Sequence, residues 1–410
     1  MLKPKNVLFV TWDGPQSSYL EGLFLPIFKL LEARGFSFHI LQFTWGDKQH
    51  RYALKKLCEN QGASYRDISI LRRPVALGSL ATAVWSARYI RQVIKEHGID
   101  IVMPRSTIPA LSAILALRKF PLVGLLFDAD GLPHDERVDY GGWLPNGFAY
   151  RLLRDLEAFA IRHADGVLTR SKKAVDILVA RAGAGIKPEK FRVVSNGRNE
   201  DLFTLISDQE RIEVRESLNI GKDVPMVVFV GSSMSGKYCG KEMLEFFRRV
   251  RNRRQDARML LLIGSPQEVN EILQDNTDIA SSCTAMRVAA SDVPRYLGAS
   301  DLGLAFIRPS FSMQAAAAIK LGEYLLCGLP ILTTRAIGDT DEIISDSIGS
   351  AMINMSSQEL ATAADWFIDT VLPNADLFRK NCRNEGVKNF GLNNTVVKYA
   401  GMLQMVAAKN

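Results

Sequence analysis

Short apolar runs alternate with longer amphipathic segments along most of the chain. The segments that follow these runs have helical spacing, as in Leu77–His97, which ends at Gly98. Short apolar runs bounded by turns are typical of buried strands, and their alternation with helices predicts a parallel, doubly wound α/β sheet. The strands predicted in the first half are Asn6–Thr11, Phe38–Phe43, Tyr65–Leu71, Asp100–Pro104 and Pro121–Phe127.

A second alternation of the same kind starts at Pro225. Two such halves predict two doubly wound Rossmann-like domains that face each other across a cleft. We place an N-terminal domain at residues 1–203 and a C-terminal domain at residues 204–374. The tail, residues 375–410, predicts two helices, and we expect the C-terminal helix to return to the N-terminal domain. The strands predicted in the second half are Met226–Val230, Arg258–Ile263, Ala285–Val288, Leu302–Ile307, Pro330–Thr333 and Ala351–Met355.

Polar residues at the ends of the predicted strands are the first candidates for chemistry, because ligands of a doubly wound sheet bind beyond the carboxyl ends of its strands. Asp128 and Asp130 follow the fifth strand, and His134 comes shortly after them. We predict that these three act in catalysis; a loop with solvated charges is the alternative. Asp13 and Gly14 follow the first strand, where a glycine lets an acceptor or a phosphate approach the backbone.

The segment Gly231–Lys237 follows an apolar strand and has the spacing GxxxxGK. Tyr238 stands where the phosphate loop of an NTPase needs Ser or Thr to hold Mg²⁺, which argues against NTPase chemistry. Small residues still let backbone N–H groups approach an anion, and a lysine adds charge. We therefore predict an anion site that includes Gly231, Ser232 and Lys237. A βα loop without a ligand is the alternative.

Lys320 and Glu323 lie three residues apart in an alanine-rich segment that is predicted to be helical and to end at Cys327 and Gly328. Residues with this spacing share one face of a helix. A lysine suits a phosphate and a carboxylate suits ribose hydroxyls, so the pair is a candidate site for a nucleotide diphosphate. An ion pair on the surface is the alternative.

Composition narrows the classes of function. The chain has 410 residues, 47% of them hydrophobic, which is enough for two domains with separate cores. The net charge of +7 fits an anionic ligand or an anionic membrane surface, or is incidental. The sequence has no basic run with interleaved aromatics, the pattern that would indicate nucleic-acid binding. The five cysteines form no CxxC pair, which predicts reduced thiols in a cytoplasm and no zinc site. We expect neither a signal peptide nor a membrane-spanning segment, because the apolar runs are too short.

Taken in order, these motifs resemble those of the GT-B glycosyltransferases, and within them the retaining enzymes of family 4. The segment Asn196–Phe203 is similar to the interdomain motif NGVDxxxF, and Lys320–Pro330 is similar to a motif of polysaccharide-assembly enzymes. Ala164–Ser171 and Val293–Asp301 also resemble family motifs. The resemblance covers nearly the whole chain. It implies a hexosyltransferase that moves a sugar from a nucleotide sugar to an acceptor and needs neither a metal nor a cofactor.

The resemblance also implies roles for particular residues. Lys237 and Lys320 would stabilise the leaving diphosphate, and Glu323 would hold the ribose. Gly231 and Ser232 would lie against the same diphosphate. Three positions depart from the family pattern: Ala315 replaces the first Glu of E-x7-E, Ser232 replaces an Arg, and Asp128 replaces a His.

The acceptor that the resemblance implies is lipid-linked or an oligosaccharide of a growing cell-surface polysaccharide. The basic segment Arg51–Leu57 and the amphipathic segment Leu80–His97 suit an anionic bilayer, so we expect a cytoplasmic protein in peripheral contact with the inner membrane. Ordinary helices whose apolar stripe faces the core are the alternative. Two other functions share the fold: a non-catalytic nucleotide-sugar-binding protein, and a nucleotide-sugar epimerase, which would need more carboxylates and histidines at the cleft.

Overall fold

The protein is represented by a computed structural model that describes residues 3–15, 19–70 and 77–408, without the side chains of residues 77–80. The chain divides into two compact units. One unit is formed by the chain up to Gly197 together with the chain from Leu392 onward, and the other runs from Arg198 to Gly391. The first crossing between the units therefore falls inside the Asn196–Phe203 motif, shortly before the boundary predicted at residues 203 and 204.

The first unit is built on a parallel sheet of seven strands. The strands are β1 (Lys5–Trp12), β2 (Phe36–Thr44), β3 (Ser64–Ser69), β4 (Ile101–Pro104), β5 (Gly124–Asp130), β6 (Gly166–Thr169) and β7 (Phe191–Val193). Their order is β3-β2-β1-β4-β5-β6-β7, which reverses between β1 and β4. Ligands of a doubly wound sheet bind at such a switch point. The third strand ends earlier than predicted, and Leu71, its predicted last residue, lies outside the described residues.

Helices cover both faces of this sheet, as right-handed crossovers between parallel strands require. They are α1 (Leu25–Glu32), α2 (Lys48–Asn60), α3 (Leu77–His97), α4 (Thr107–Leu117), α5 (Pro133–Asp139), α6 (Phe148–His163) and α7 (Lys172–Ala182). A π-helical turn at Leu20–Phe24 leads into α1. Phe28 of α1 and Leu54 of α2 share a buried cluster with Phe9 of β1, which places both helices on one face. Helices α3, α4 and α6 pack with one another on the opposite face.

The second unit has a parallel sheet of six strands. The strands are β8 (Met226–Gly231), β9 (Arg258–Ile263), β10 (Cys283–Met286), β11 (Leu302–Ala305), β12 (Ile331–Thr334) and β13 (Gly349–Met352). Their order is β10-β9-β8-β11-β12-β13, so the switch point lies between β8 and β11. The two parallel sheets confirm the prediction of two doubly wound, Rossmann-like halves.

The helices of the second unit include one important departure from expectation. They are α8 (Asp208–Ser217), α9 (Gly240–Arg253), α10 (Pro266–Gln274), α11 (Thr277–Ala280), α12 (Val293–Ala299), α13 (Ile319–Leu326), α14 (Thr340–Ile343), α15 (Ser357–Trp366) and α16 (Ala375–Phe390). The alanine-rich segment is not one helix, because a 3₁₀ turn at Ser312–Ala315 is separated from α13 by extended residues. The carbonyl of Met313 accepts the N–H groups of Ala316 and Gly338, at 3.1 and 2.8 Å. This contact with a distant loop overrides the helical propensity of alanine.

The two helices of the tail belong to different units. The last helix, α17 (Leu392–Ala407), is part of the first unit, where Val396 and Tyr399 share the buried cluster of Phe9. Helix α16 remains in the second unit and packs against α13; a side chain at Gly386 would come within 2.7 Å of the backbone of α13. Among the described residues, no helix combines the length and the apolar character needed to cross a bilayer.

Candidate functional site

Lys320 lies in the first turn of α13, at the carboxyl end of the second sheet. Its side chain is buried, at 7% exposure, and among the described residues its Nζ has no hydrogen-bond partner. Two aromatic rings face the ammonium: the ring centroids of Tyr238 and Phe229 lie 4.0 and 4.3 Å from Nζ. A buried ammonium without an anion is unfavourable, and the rings offset only part of that cost. The arrangement suits a site that binds a negatively charged ligand.

Burial dominates the electrostatics of Lys320. Burial lowers the pKa of Lys320 from its usual 10.5 to about 7; Glu323 opposes this shift, and the charge of Lys237 adds to it. The N-terminus of α13 contributes positive potential as well, because Ala318 provides no side-chain cap for the first N–H groups. An anion bound here would satisfy the ammonium and raise its pKa again.

Glu323 pairs with Arg198 and not with Lys320. Its Oε1 accepts a hydrogen bond from Nε of Arg198 at 3.0 Å, and the two side chains are only 15% and 12% exposed. Burial raises the pKa of Glu323, while Arg198 and then Lys320 lower it. The alternative of a surface ion pair between Lys320 and Glu323 is therefore wrong, since both residues are buried and each has a different environment.

The first residues of the GxxxxGK segment end β8 and support Lys320 indirectly. A Cβ on Gly231 would lie 2.7 Å from the ring of Phe229, so the glycine leaves room for the ring that faces the ammonium. Ser232 follows it and is exposed at the start of the loop. Both positions thus lie at the end of β8 that neighbours Lys320.

The rest of that loop is held in place by hydrogen bonds to Glu268 and Arg308. The hydroxyls of Ser233 and Ser235 donate hydrogen bonds to Oε1 of Glu268, at 2.7 and 3.2 Å. The carbonyl of Lys237 accepts the N–H of Arg308 at 2.8 Å. Because a carboxylate occupies the serine side of the loop, an anion is expected to meet the lysine side.

Tyr324 fixes α13 to the switch point of the second sheet. Its buried hydroxyl accepts the N–H of Val230 in β8 at 3.0 Å and donates to the carbonyl of Leu304 in β11 at 3.2 Å. A Cβ on Gly303 would lie 2.5 Å from the tyrosine ring, so the glycine makes room for it. Since Tyr324 follows Glu323 directly, this contact sets the position of the candidate ligand residues.

Asp128 and Arg170 form a buried ion pair at the ends of β5 and β6 in the first unit. Oδ2 of Asp128 lies 2.8 Å from Nη2 of Arg170, and the side chains are 0% and 2% exposed. Oδ1 of Asp128 accepts the N–H of Asp130 at 3.1 Å. A substrate cannot reach the Asp128 carboxylate in this arrangement, so the geometry does not support the predicted catalytic role for this residue.

Asp130 reaches solvent, with a side chain that is 37% exposed. It lies 2.7 Å from Nη2 of Arg105 and 3.3 Å from Nε of Arg170. The backbone of Asp130 is left-handed, with φ of 62°, and Ser106 at the end of β4 has φ of 71° and ψ of 169°. For a residue other than glycine, the conformation of Ser106 costs about 1–3 kcal/mol, and such strain clusters at functional sites. These strand ends therefore hold Asp130 in a fixed and exposed position.

His134 lies on α5 and is buried, at 6% exposure. Its Nε2 is 2.7 Å from the hydroxyl of Thr107. Burial, followed by the charge of Arg137, lowers the pKa of His134 to about 4, so the imidazole is neutral at pH 7. The structure does not bring this predicted catalytic residue into contact with solvent.

Asp13 and Gly14 lie at the end of β1, beside the same group of charges. Asp13 accepts a hydrogen bond from the hydroxyl of Thr11, and its Oδ1 is 3.7 Å from Nη1 of Arg105. A Cβ on Gly14 would lie 2.1 Å from the indole of Trp45. The tryptophan alone thus requires a glycine here, and the approach of a phosphate or an acceptor to this backbone stays a prediction.

Sequence reasoning did not assign a role to four residues of these sites: Arg105, Arg170, Arg198 and Tyr238. Each had a local signal. The first two directly follow strands of the first sheet, where side chains meet at the carboxyl edge. Arg198 stands where the interdomain motif has valine, and Tyr238 directly follows the lysine of GxxxxGK.

Comparison with protein families assigns both halves of the chain. Residues 27–202 match the family model described as Glycosyltransferase Family 4, and residues 224–370 match the model described as Glycosyl transferases group 1. Together the two matches span more than three quarters of the chain. No curated protein matches the sequence.

Solved glycosyltransferases share the fold at low sequence identity. A glycosyltransferase from Rickettsia africae superposes with a TM-score of 0.75 at 17% identity, over 99% of this chain and 100% of the other. HepE from Anabaena, in complex with UDP, gives 0.70 at 18% identity, over 97% and 99%. WaaG, a glycosyltransferase involved in lipopolysaccharide biosynthesis, gives 0.64 at 18% identity, over 96% and 98%. With the two family matches and the two Rossmann-like sheets of the GT-B fold, the chain belongs to the glycosyltransferases, with a family 4 domain followed by a group 1 domain.

Proposed function

We propose that the protein is a retaining hexosyltransferase that moves a sugar from a nucleotide sugar to a lipid-linked or polysaccharide acceptor in cell-surface polysaccharide synthesis. The observation that supports the donor site most directly is the buried Lys320 ammonium at the N-terminus of α13, which has no hydrogen-bond partner within the part of the chain that the structure describes. HepE has been solved with UDP and with UDP-glucose, so UDP sugars are the first donors to test. The lysines would neutralise the diphosphate without a metal, and no cofactor is part of the proposal.

In the proposed reaction, the bond between the anomeric carbon and the phosphate oxygen breaks, and a bond to the acceptor oxygen forms on the same face of the sugar. Negative charge grows on the leaving diphosphate, where Lys320, Lys237 and the N-terminus of α13 stabilise it. Glu323 accepts hydrogen bonds from the ribose hydroxyls. The proton of the acceptor hydroxyl passes to the leaving phosphate oxygen, so the step balances without a separate base.

Asp130 is the proposed contact for the acceptor hydroxyl. It is the exposed member of a group of charges at the switch point of the first sheet, and it lies against Arg105. Burial alone would lower the pKa of Arg105, but the carboxylates of Asp130, Asp13 and Asp128 raise it, so this arginine stays charged. A fixed, ionised carboxylate can orient a hydroxyl for attack. In this proposal Asp128 and His134 support the site and do not touch the substrate.

We also propose that the protein is cytoplasmic and makes peripheral contact with an anionic bilayer. The buried stripe of α3, which includes Ala87 and Ile90, faces the core. This agrees with the alternative of an ordinary helix whose apolar stripe packs on the core. Helices α2 and α3 are nevertheless tied to the same edge strand, β3, by ion pairs of Arg51 with Asp67 and of Arg66 with Glu96. The two helices cover opposite faces of the sheet, and each exposes apolar and basic side chains: Tyr52, Lys55 and Lys56 on α2, and Val84, Trp85 and Arg88 on α3. This combination favours anionic lipid surfaces.

The donor site is tested by a thermal-shift screen of UDP, GDP and ADP sugars, because a ligand at 100 times its Kd stabilises the fold by about 2.7 kcal/mol. The donor that binds is then supplied with acceptors, and proton NMR of the new glycosidic bond reports the anomeric configuration. Product of inverted configuration would refute retention. Donor that binds but is neither hydrolysed nor transferred would favour the non-catalytic alternative.

Membrane contact is tested by co-sedimentation with vesicles of phosphatidylcholine alone or mixed with phosphatidylserine. We expect binding to the mixed vesicles only, and its loss when Lys55→Glu, Lys56→Glu and Trp85→Ala are combined. Sedimentation that does not depend on anionic lipid would refute the proposal.

A further inference from the structure

The ion pair between Arg198 and Glu323 joins two segments that are far apart in the sequence. The residues are separated by 125 positions, yet Nε and Oε1 meet at 3.0 Å. Arg198 is also the first residue of the second unit, directly after the chain leaves the first. The carboxylate that faces the donor site is therefore held by a residue at the crossing between the units.

Hydrogen bonds fix the backbone around Arg198, and this fixes the point from which its side chain extends. The N–H of Arg198 donates to the carbonyl of Phe390 at 2.9 Å, and Arg198 pairs with Gly391 in an isolated parallel bridge. Downstream, the guanidinium of Arg383 in α16 donates to the carbonyls of Glu200 and Phe203, at 2.9 and 2.6 Å. Arg198 and the residues that follow it are thus anchored to α16, which itself packs against α13.

The pairing also separates the two charges of α13. Burial raises the pKa of Glu323, and Arg198 is the first group that opposes this, followed by Lys320. Because the guanidinium neutralises Glu323, the ammonium of Lys320 is not consumed by an ion pair within its own helix. Fixing one oxygen of a carboxylate also fixes the direction of the other, which sets the geometry for a hydroxyl donor.

We propose that Arg198 is a positioning residue that keeps Glu323 ionised and aimed, so that recognition of the donor ribose depends on a residue at the crossing between the two units. The inference rests on the proposed function, since it concerns the same nucleotide site. It adds Arg198 to the proposed donor site. The interdomain motif has an uncharged valine at this position, and the proposed role of Arg198 is to help the site select ribose.

The test compares nucleotides that differ only in the ribose hydroxyls. UDP, GDP and ADP are each measured by calorimetry against their 2′,3′-dideoxy counterparts, and the ratio of the two Kd values isolates the contact with Glu323 from the contact with phosphate. Hydrogen bonds to a charged group support a preference of about ten- to a hundredfold for the ribose form in the wild type. Arg198→Gln should reduce this preference to about threefold or less, and Arg198→Lys, which keeps a charge, should restore part of it.

The pH dependence provides a readout that a purely structural role would not change. Without Arg198 the pKa of Glu323 rises further, so in Arg198→Gln the carboxylate forms only at higher pH. The ribose preference of that variant should therefore increase as pH rises, and more steeply than the preference of the wild type. Arg254→Gln, which removes an arginine paired with Asp256 on the surface of the same unit, is the matched control and should behave as the wild type.

The outcomes separate this inference from the proposed function. A wild type that binds no nucleoside diphosphate overturns the proposed function, and with it the inference. A wild type that binds one of them, together with an Arg198→Gln variant that is folded and selects ribose equally well at every pH, overturns the inference alone. If Arg198→Gln does not fold, the lysine variant decides: a ribose preference that is partly or fully retained supports the role of a charge at this position, and loss of preference that does not recover with pH overturns it.

Discussion

Replacing Lys320 with methionine should make the free protein more stable and strongly slow sugar transfer. Methionine has nearly the length of lysine, and its thioether packs favourably against aromatic rings such as those of Phe229 and Tyr238. The change removes an ammonium that is buried and has no hydrogen-bond partner among the described residues. Stability and activity should therefore move in opposite directions, which does not happen when a substitution merely disrupts the fold.

The magnitude follows from the pKa of Lys320, which burial lowers from 10.5 to about 7. Each tenfold change in an acid dissociation constant corresponds to ~1.36 kcal/mol, so the buried group costs the fold on the order of 4 kcal/mol at pH 7. The unfolded chain binds this proton more tightly than the folded chain does. The free energy of unfolding of the wild type should therefore rise as pH increases from about 7 to about 10.5, and the advantage of the methionine variant should shrink over the same interval.

The assay is chemical denaturation of both proteins at pH 7 and at pH 9.5, combined with transfer kinetics using the donor found by screening. Loss of one preorganised cation at the leaving group should lower kcat/KM by about 10²–10³. Lys380→Met, which removes an exposed lysine on α16, is the matched control and should change neither quantity. A Lys320→Met variant that is less stable than the wild type at pH 7, or that transfers sugar at the normal rate, would refute the reasoning.

Three further predictions concern neighbouring groups. Donor binding should weaken as pH rises from 6 to 8.5, because Lys320 loses its proton near pH 7 in the free protein; a Kd that is constant by calorimetry over this interval would contradict this. Asp130→Asn should lower kcat at least about tenfold, whereas Asp128→Asn, which removes the nearest carboxylate of the buried Arg170, should leave kcat closer to that of the wild type and cost about 3–5 kcal/mol of stability, more than Asp130→Asn does; equal effects of the two variants in either assay would argue against the division of roles. Tyr324→Phe should cost about 1–3 kcal/mol, measured by denaturation, because a buried N–H and a carbonyl lose their shared hydroxyl.

Much of the fold was predictable because buried parallel strands leave a simple pattern. The run Asn6–Thr11 lies within β1, and Arg258–Ile263 coincides with β9. The long amphipathic segment Leu77–His97 has the same bounds as α3. Such elements depend on local periodicity and on burial of the whole segment, and both are visible in a single sequence. Their order then leaves few topologies for a parallel sheet.

The errors arose where a distant contact decides the local structure. The alanine-rich segment has high helical propensity, but the Met313 carbonyl is taken by Gly338, and the helix starts only at Ile319. Lys320 and Glu323 have the spacing of an ion pair, yet the partner of Glu323 comes from 125 residues earlier in the chain. No periodicity within the segment reports either contact.

The same reasoning explains why candidate site residues were easier to locate than to assign. Asp128 and Asp130 both lie at the carboxyl end of β5, and their positions in the sequence do not distinguish them. Their burial differs completely, because Arg170 covers Asp128 while the backbone turn at Asp130 directs its carboxylate toward solvent. Which carboxylate reaches solvent depends on Arg170, which directly follows the neighbouring strand β6, and sheet register is needed to see this.

Lys320 and Glu323 lie three residues apart on α13 but have different environments, and this difference argues for a ligand. A fold that only needed stability could pair Lys320 with Glu323, or replace both with apolar residues, which is often neutral or favourable at a buried site. Here Glu323 is neutralised by Arg198, while Lys320 remains buried between two rings with its pKa lowered to about 7. Among the described residues nothing hydrogen-bonds this ammonium, so a bound anion would offset its cost. The offset would be largest for an anion that gains charge, as the leaving diphosphate of the proposed reaction does in the transition state.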